Sequence, residues 1–107
     1  MKIKALKIDA KLGRVIPVEI ESEDINEICK HVGCEIFTTA GQFGNGILYV
    51  DDNGLSKPIT GMFFASFYPA PLVGNGLLVG DDEDIDVTPE ELESELSFVP
   101  TPNMERN

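Results

Sequence analysis

Tryptophan is absent, histidine occurs once, cysteine twice, and eight bases face nineteen acids. Each shortage removes a class of function. A single histidine, His31, offers no Ser-His-Asp arrangement, and no general base stands out. Cys29 and Cys34 are too few and too close together for a secreted disulfide framework. Nor do they make a metal site with His31, because Cys29 lies on the apolar stripe of a helical pattern, His31 lies off it, and no fourth ligand is evident. Cys29 reads instead as a buried small hydrophobe. No apolar run approaches the ~18 residues of a membrane-spanning helix, and Met1-Lys2-Ile3-Lys4 opens a strand pattern rather than a secretory leader. These absences predict a cytoplasmic, non-enzymatic protein with no cofactor, no metal and no membrane partner.

The deficit of bases is also uneven. Residues 1–14 hold five bases and one acid, so the rest of the chain holds three bases and eighteen acids. From Asp81 to Glu95 there are nine carboxylates and no base. Such a surface repels nucleic-acid phosphate and attracts basic partners, with a reach that salt limits to ~10 Å. The charge predicts no direct binding of DNA or RNA, and a protein with a basic surface is the expected partner.

What the chain does have is a stretch written twice. Phe43-Gly44-Asn45-Gly46-Ile47-Leu48-Tyr49-Val50-Asp51-Asp52 returns as Val73-Gly74-Asn75-Gly76-Leu77-Leu78-Val79-Gly80-Asp81-Asp82. Gly and Asn tolerate positive φ, so each copy reads as a tight turn feeding a short buried strand. The two strands are expected at the centre of one sheet. A phosphate loop would need a helix after the glycines, and here a strand follows. The turns are therefore structural in the first place, with Asn75 the better of the two asparagines for ligand contact.

In chain order, residues 2–9 and 14–20 read as two strands joined around Lys11-Leu12-Gly13. Ile16, Val18 and Ile20 alternate with Val15, Pro17 and Glu19, and Pro17 places that strand at an edge. Ile3 and Ala5 have one parity, Leu6 and Ile8 the other, which predicts a bulge or burial of both faces. Ser22 is the expected cap of a helix whose stripe is Ile25, Ile28, Cys29 and Val32, closed by Gly33. Glu35 to Thr39 suggests a third strand. Asn53-Gly54 is a hairpin signal, with a short strand near Leu55 to Ile59. Met62 to Tyr68 is ambiguous in period; Thr60 as a cap and Pro69-Ala70-Pro71 as a stop favour one or two helical turns. Thr88-Pro89-Glu90-Glu91 has capping-box spacing and opens a last helix, edged by Leu92, Leu96 and Val99.

These elements predict one α+β domain over residues 1–99. It would be a single mostly antiparallel sheet, with a helix packed on one face and a short C-terminal helix. Residues 100–107 are expected to be a flexible tail.

The order of motifs resembles a known family. Ala5-Leu6-Lys7-Ile8-Asp9, Val18-Glu19-Ile20, Val32-Gly33, Leu48-Tyr49-Val50-Asp51 before an Asn-Gly turn, Val73-Gly74-Asn75 and Leu78-Val79-Gly80 together are similar to the domain of unknown function 3846. The likeness runs from about residue 3 to residue 95. Members are small proteins of phages and other mobile elements, so the resemblance implies a genetic context rather than a reaction. The chain departs from the family at Gly61-Met62-Phe63-Phe64, where members more often carry a polar, Asn-containing segment.

Asp82, Asp84, Asp86, Thr88, Glu90 and Glu93 follow the spacing of a calcium loop, but Val87 stands where that loop needs Gly and no helix precedes it. A solvated acidic face is the better reading, with Asp82, Asp84, Asp86, Glu90 and Glu91 as its recognition residues. Phe63, Phe64 and Tyr68 belong to a segment more aromatic than a short connector needs. With Asn45 and Asn75 they are the expected contacts to a ligand or partner, or to a second copy in a homodimer. The resulting expectation is an acidic accessory protein of a phage or mobile element that binds a host factor, with inhibition of a host defence system as a role. The alternatives are a small-ligand, nucleotide-like binding or sequestering module, and a DNA mimic that occupies a nucleic-acid enzyme.

Overall fold

The computed structural model describes residues 2–21, 24–33, 37–51, 61–81 and 83–99. Its elements run β1 (Lys2–Asp9), β2 (Arg14–Glu21), α1 (Ile25–Val32), β3 (Phe37–Phe43), β4 (Gly46–Asp51), β5 (Met62–Ala65), β6 (Leu72–Val73), β7 (Gly76–Gly80), α2 (Pro89–Ser94) and β8 (Leu96–Val99). They form two sheets, a five-stranded one in the order β2-β1-β7-β4-β3 and a three-stranded one in the order β6-β5-β8. Every described strand pairing is antiparallel.

The two copies of the repeated stretch form β4 and β7, which pair side by side from Gly46↔Gly80 to Val50↔Gly76. With β7 in the middle of its sheet, all five of its residues are buried. β1 and β2 form an unbroken hairpin from Lys2↔Glu21 to Asp9↔Arg14. The mixed parity of β1 is therefore burial on both faces, not a bulge. Gly13, at φ 70°, closes the turn by donating its N–H to Asp9 O. β3 runs on past the expected end at Thr39 to Phe43, with an irregularity between Thr39 and Gln42, while Glu35 and Ile36 lie outside the described residues.

One face of the large sheet presents Ile3, Ala5, Ile20, Leu77 and Val79, with Val32 and Ile28 of α1 packed among them. Asp24, not Ser22, caps α1. Its backbone is extended and its carboxylate accepts from Asn26 N. Gly33 ends the helix at φ 79°, and Ser22, Glu23 and the side chain of Ile25 lie outside the described residues. The opposite face presents Leu6, Ile8, Leu48 and Leu78 to Phe63 and Leu72 of the small sheet and to Leu92 of α2.

The expectation of a single sheet is corrected here, and with it the helical reading of Met62 to Tyr68. Met62–Ala65 is a strand because Phe63 and Ala65 point inward while Phe64 points out, a period of two. The last helix likewise stops at Ser94 rather than including Leu96 and Val99. Leu96 and Phe98 stand opposite Ala65 and Phe63 in β8, and that cross-strand packing decides against a longer helix. The Asn53-Gly54 turn, the strand near Leu55 to Ile59, Cys34 and the tail from residue 100 lie outside the described residues. Among the described residues no helix is long and apolar enough to cross a membrane.

Candidate partner-binding site

The two Gly-Asn-Gly turns place their asparagines in structural hydrogen bonds. Gly44 and Asn45 turn the chain from β3 into β4, with Gly44 at φ 60°. Asn45 Nδ2 donates to Glu83 Oε2 at 3.2 Å and to Asp84 O at 3.0 Å, while its Oδ1 accepts from Asp86 N at 2.9 Å. In the second turn Asn75 Oδ1 accepts from Ala10 N at 3.1 Å, so it secures the β1–β2 loop.

The acidic segment is consequently seated, not loose. β7 pairs with β1 only along Leu6 to Ile8. Beside Lys4 the acidic chain takes over: Ile85 N donates to Lys4 O at 3.0 Å, and Lys4 N donates to Asp84 Oδ1 at 2.8 Å. Ile85 and Val87 turn inward against the core. Thr88 and Glu91 then form the capping box of α2, with Thr88 N donating to Glu91 Oε1 and Glu91 N to Thr88 Oγ1. Beyond it Glu93 Oε2 accepts from Val15 N of β2 at 2.8 Å.

Asp81, Glu83, Asp84, Asp86, Glu90, Glu91 and Glu93 are all exposed, and Asp82 lies outside the described residues. Asp84 and Glu91, both expected on the recognition face, are thus also structural acceptors. Among the described residues no group of three or more His, Cys, Asp or Glu side chains is arranged to hold a metal ion.

A groove of about 600 Å³ opens between this segment and the hairpin. Leu6, Pro17, Val18, Ile85 and Val87 give it an apolar lining, while Lys4, Glu19, Asp86 and Thr88 supply its polar groups. That volume is within the ~300–1,000 Å³ range of small-molecule and cofactor pockets. Lys4 and Glu19 stand directly opposite each other on neighbouring strands.

The aromatic segment is divided between core and surface. Phe63 is fully buried, Phe67 stacks on Phe43 at 5.3 Å, and Tyr68 is half-buried. Phe64 alone of these is exposed, at 43%. Asn45 is therefore bonded to the acidic segment, Asn75 to the β1–β2 loop, and the aromatic segment meets Glu95 through the N–H and hydroxyl of Ser66. On the other face of the large sheet, burial and then the Lys7 ammonium hold His31 below the usual imidazole value.

The hairpin side of the groove, Lys4, Leu6, Pro17 and Glu19, was not singled out in the sequence. Its signal was indirect: Pro17 marks an edge strand, and Ile85 and Val87 are apolar residues inside an acidic run with no other reason to be there.

The family model described as Domain of unknown function (DUF3846) matches residues 1–97 of the chain. No curated protein and no solved structure gives a match.

Proposed function

The chain belongs to the DUF3846 family, and from that premise we propose that it is a non-enzymatic, acidic accessory protein of a phage or other mobile element. It binds a host factor through a basic surface on that factor, and inhibition of a host defence system is the role such binding would serve. One observation carries this reading: the exposed carboxylates from Asp81 to Glu93 stand on a segment tethered at Asn45, Lys4 and Val15. A tethered array presents its charge without first ordering a loop, which lowers the entropy lost on association. Its field raises the rate of encounter with a basic partner more than the intrinsic affinity.

Asp86 and Glu90 are the residues to neutralise. Asp84 is unsuitable because it also holds Lys4 N. Capture from host lysate at low salt, with mass spectrometry of the eluate, is expected to yield a basic protein. The Asp86→Asn, Glu90→Gln double variant and raised salt should both diminish its recovery. Capture that ignores both changes would remove the acidic face from the account.

Phe64 supports a second contact. It is the exposed aromatic of its segment, at 43%, so a homodimer through β5 would be held by this side chain. Light scattering that gives a monomer at micromolar concentration would exclude it.

A further inference from the structure

Peptide groups in antiparallel strands alternate, pointing towards one neighbour and then the other. On β1, Lys4 donates its N–H to Asp84 and accepts from Ile85 N, so its peptide groups point away from β2. Glu19 is paired with Lys4, so its N–H and C=O point away from β1. Val15 confirms the phase from the same strand, because its N–H reaches outward to Glu93.

β2 is the terminal strand of its sheet. Its outer edge is closed at Val15 by the Glu93 carboxylate and lacks a donor at Pro17. At Glu19 it is open: among the described residues nothing pairs with the Glu19 N–H or C=O, or with the Pro17 C=O. The groove lies against this same stretch, so an apolar pocket, two carboxylates (Glu19 and Asp86) and a short row of free backbone groups adjoin one another.

We propose that a short extended segment of a basic partner adds to the outer edge of β2 at Pro17–Glu19. This proposal rests on the acidic-face reading and specifies how the partner is held. Main-chain hydrogen bonds to Glu19 and Pro17 fix the segment's position, as in other cases of strand addition. An apolar side chain of the segment enters the groove over Leu6 and Ile85. A lysine or arginine of the segment meets Glu19 and Asp86. The closure at Val15 and Pro17 limits pairing to a few residues, so the edge accepts a segment without inviting open-ended sheet growth.

The test uses an acetylated, amidated heptapeptide with threonine at its odd positions, lysine at the second and sixth and valine at the fourth, so that both lysines and the valine share one strand face, with binding read by fluorescence anisotropy. Two analogues carry N-methyl groups on the threonine nitrogens or on the lysine and valine nitrogens. In a strand only one of these sets faces the edge, so one analogue should bind about tenfold more weakly and the other should be little changed. Glu19→Pro removes the outward donor together with the carboxylate, so it is read against Glu19→Gln, which removes only the charge; the unmodified peptide should bind Glu19→Pro more weakly than Glu19→Gln by a similar factor. The Glu19 amide should gain protection from hydrogen exchange when the peptide is bound.

Equal affinity for both analogues overturns strand addition, and so does failure of all three peptides to bind at low salt. The acidic-face reading fails separately, if the Asp86→Asn, Glu90→Gln double variant binds the unmodified peptide as the parent does at every salt concentration. Loss of affinity in that double variant, with equal affinity for both analogues, would leave the acidic face standing without the edge.

Discussion

Gly44-Asn45-Gly46 and Gly74-Asn75-Gly76 are spelled alike and lead into neighbouring strands, yet they have different surroundings. A Cβ at Gly44 would lie 2.3 Å from Val87 Cγ2, whereas one at Gly74 would meet nothing within 4 Å. Asn45 makes three hydrogen bonds to the acidic segment, and Asn75 makes one to the β1–β2 loop. The first turn is therefore a support for the candidate site, and the second is a clip at the opposite end of the β4–β7 pair. Identical local sequence sets a first glycine at positive φ in both copies; what packs on that glycine sets its importance.

The largest effect that distinguishes the two turns should come from Gly44→Ala against Gly74→Ala. Both substitutions force a side chain to positive φ, at φ 60° and φ 84°. Only the first also drives a methyl group into Val87. Chemical denaturation should show a loss of roughly 3 kcal/mol for Gly44→Ala and roughly 1 kcal/mol for Gly74→Ala. Equal losses would mean that packing does not distinguish the turns.

The amides give a smaller contrast. Asn45→Ala should lower stability by roughly 2 kcal/mol and Asn75→Ala by about 1 kcal/mol, in line with three bonds against one at partly solvated sites. Hydrogen exchange sharpens the comparison by location. Asn45→Ala should speed exchange at Ile85 and Asp86, and Asn75→Ala should speed it at Ala10. Crossed responses would show that the two turns are not independent.

Thr88→Ala tests the far end of the same acidic segment. Losing the capping box should cost about 1 kcal/mol. If Asn45 and Thr88 hold one cooperative unit, their double-mutant cycle should give a coupling above ~0.5 kcal/mol. A coupling of zero would divide the segment into two independently held pieces.

The smallest effect lies outside both turns and serves as their control. The chain's one histidine is held below its ordinary value of 6.5, chiefly by burial. Between its folded value and 6.5 the unfolded chain binds more protons than the folded one, so stability should fall as pH drops through that window. Thermal melts should show this slope in the parent, in Asn45→Ala and in Asn75→Ala, and His31→Gln should flatten it. A slope that either asparagine variant alters would connect that turn to the α1 face.

Much of the local structure was legible from residue chemistry. Thr88, Pro89 and Glu91 marked a helix start and Gly33 a helix end, because caps involve neighbours three or four residues apart. Pro17 marked an edge, since a residue without an N–H does not serve an interior ladder. The Gly-Asn-Gly copies marked two central strands. The misreadings share a cause. Met62–Ala65 and Leu96–Val99 are short apolar stretches whose period is ambiguous in isolation, and each becomes a strand because the other lies opposite it. Ser22 and Asp24 are both good caps, and choosing between them depended on where the chain leaves β2.

By itself, then, the sequence determined the glycines of positive φ at Gly13, Gly44 and Gly74, most of the caps, the acidic excess and the two strands at the centre of the large sheet. All of these rest on φ preferences, formal charge or hydrogen bonds within a few residues. Only the tertiary structure decided that there are two sheets, that Asn45 supports the acidic segment, and that Lys4, Leu6, Pro17 and Glu19 share a groove with Ile85 and Val87. Those facts depend on contacts such as Phe63 with Phe98, Asn45 with Asp86 and Lys4 with Asp84, the last two 41 and 80 positions apart, and local preference carries no information about which distant segment will occupy a given face.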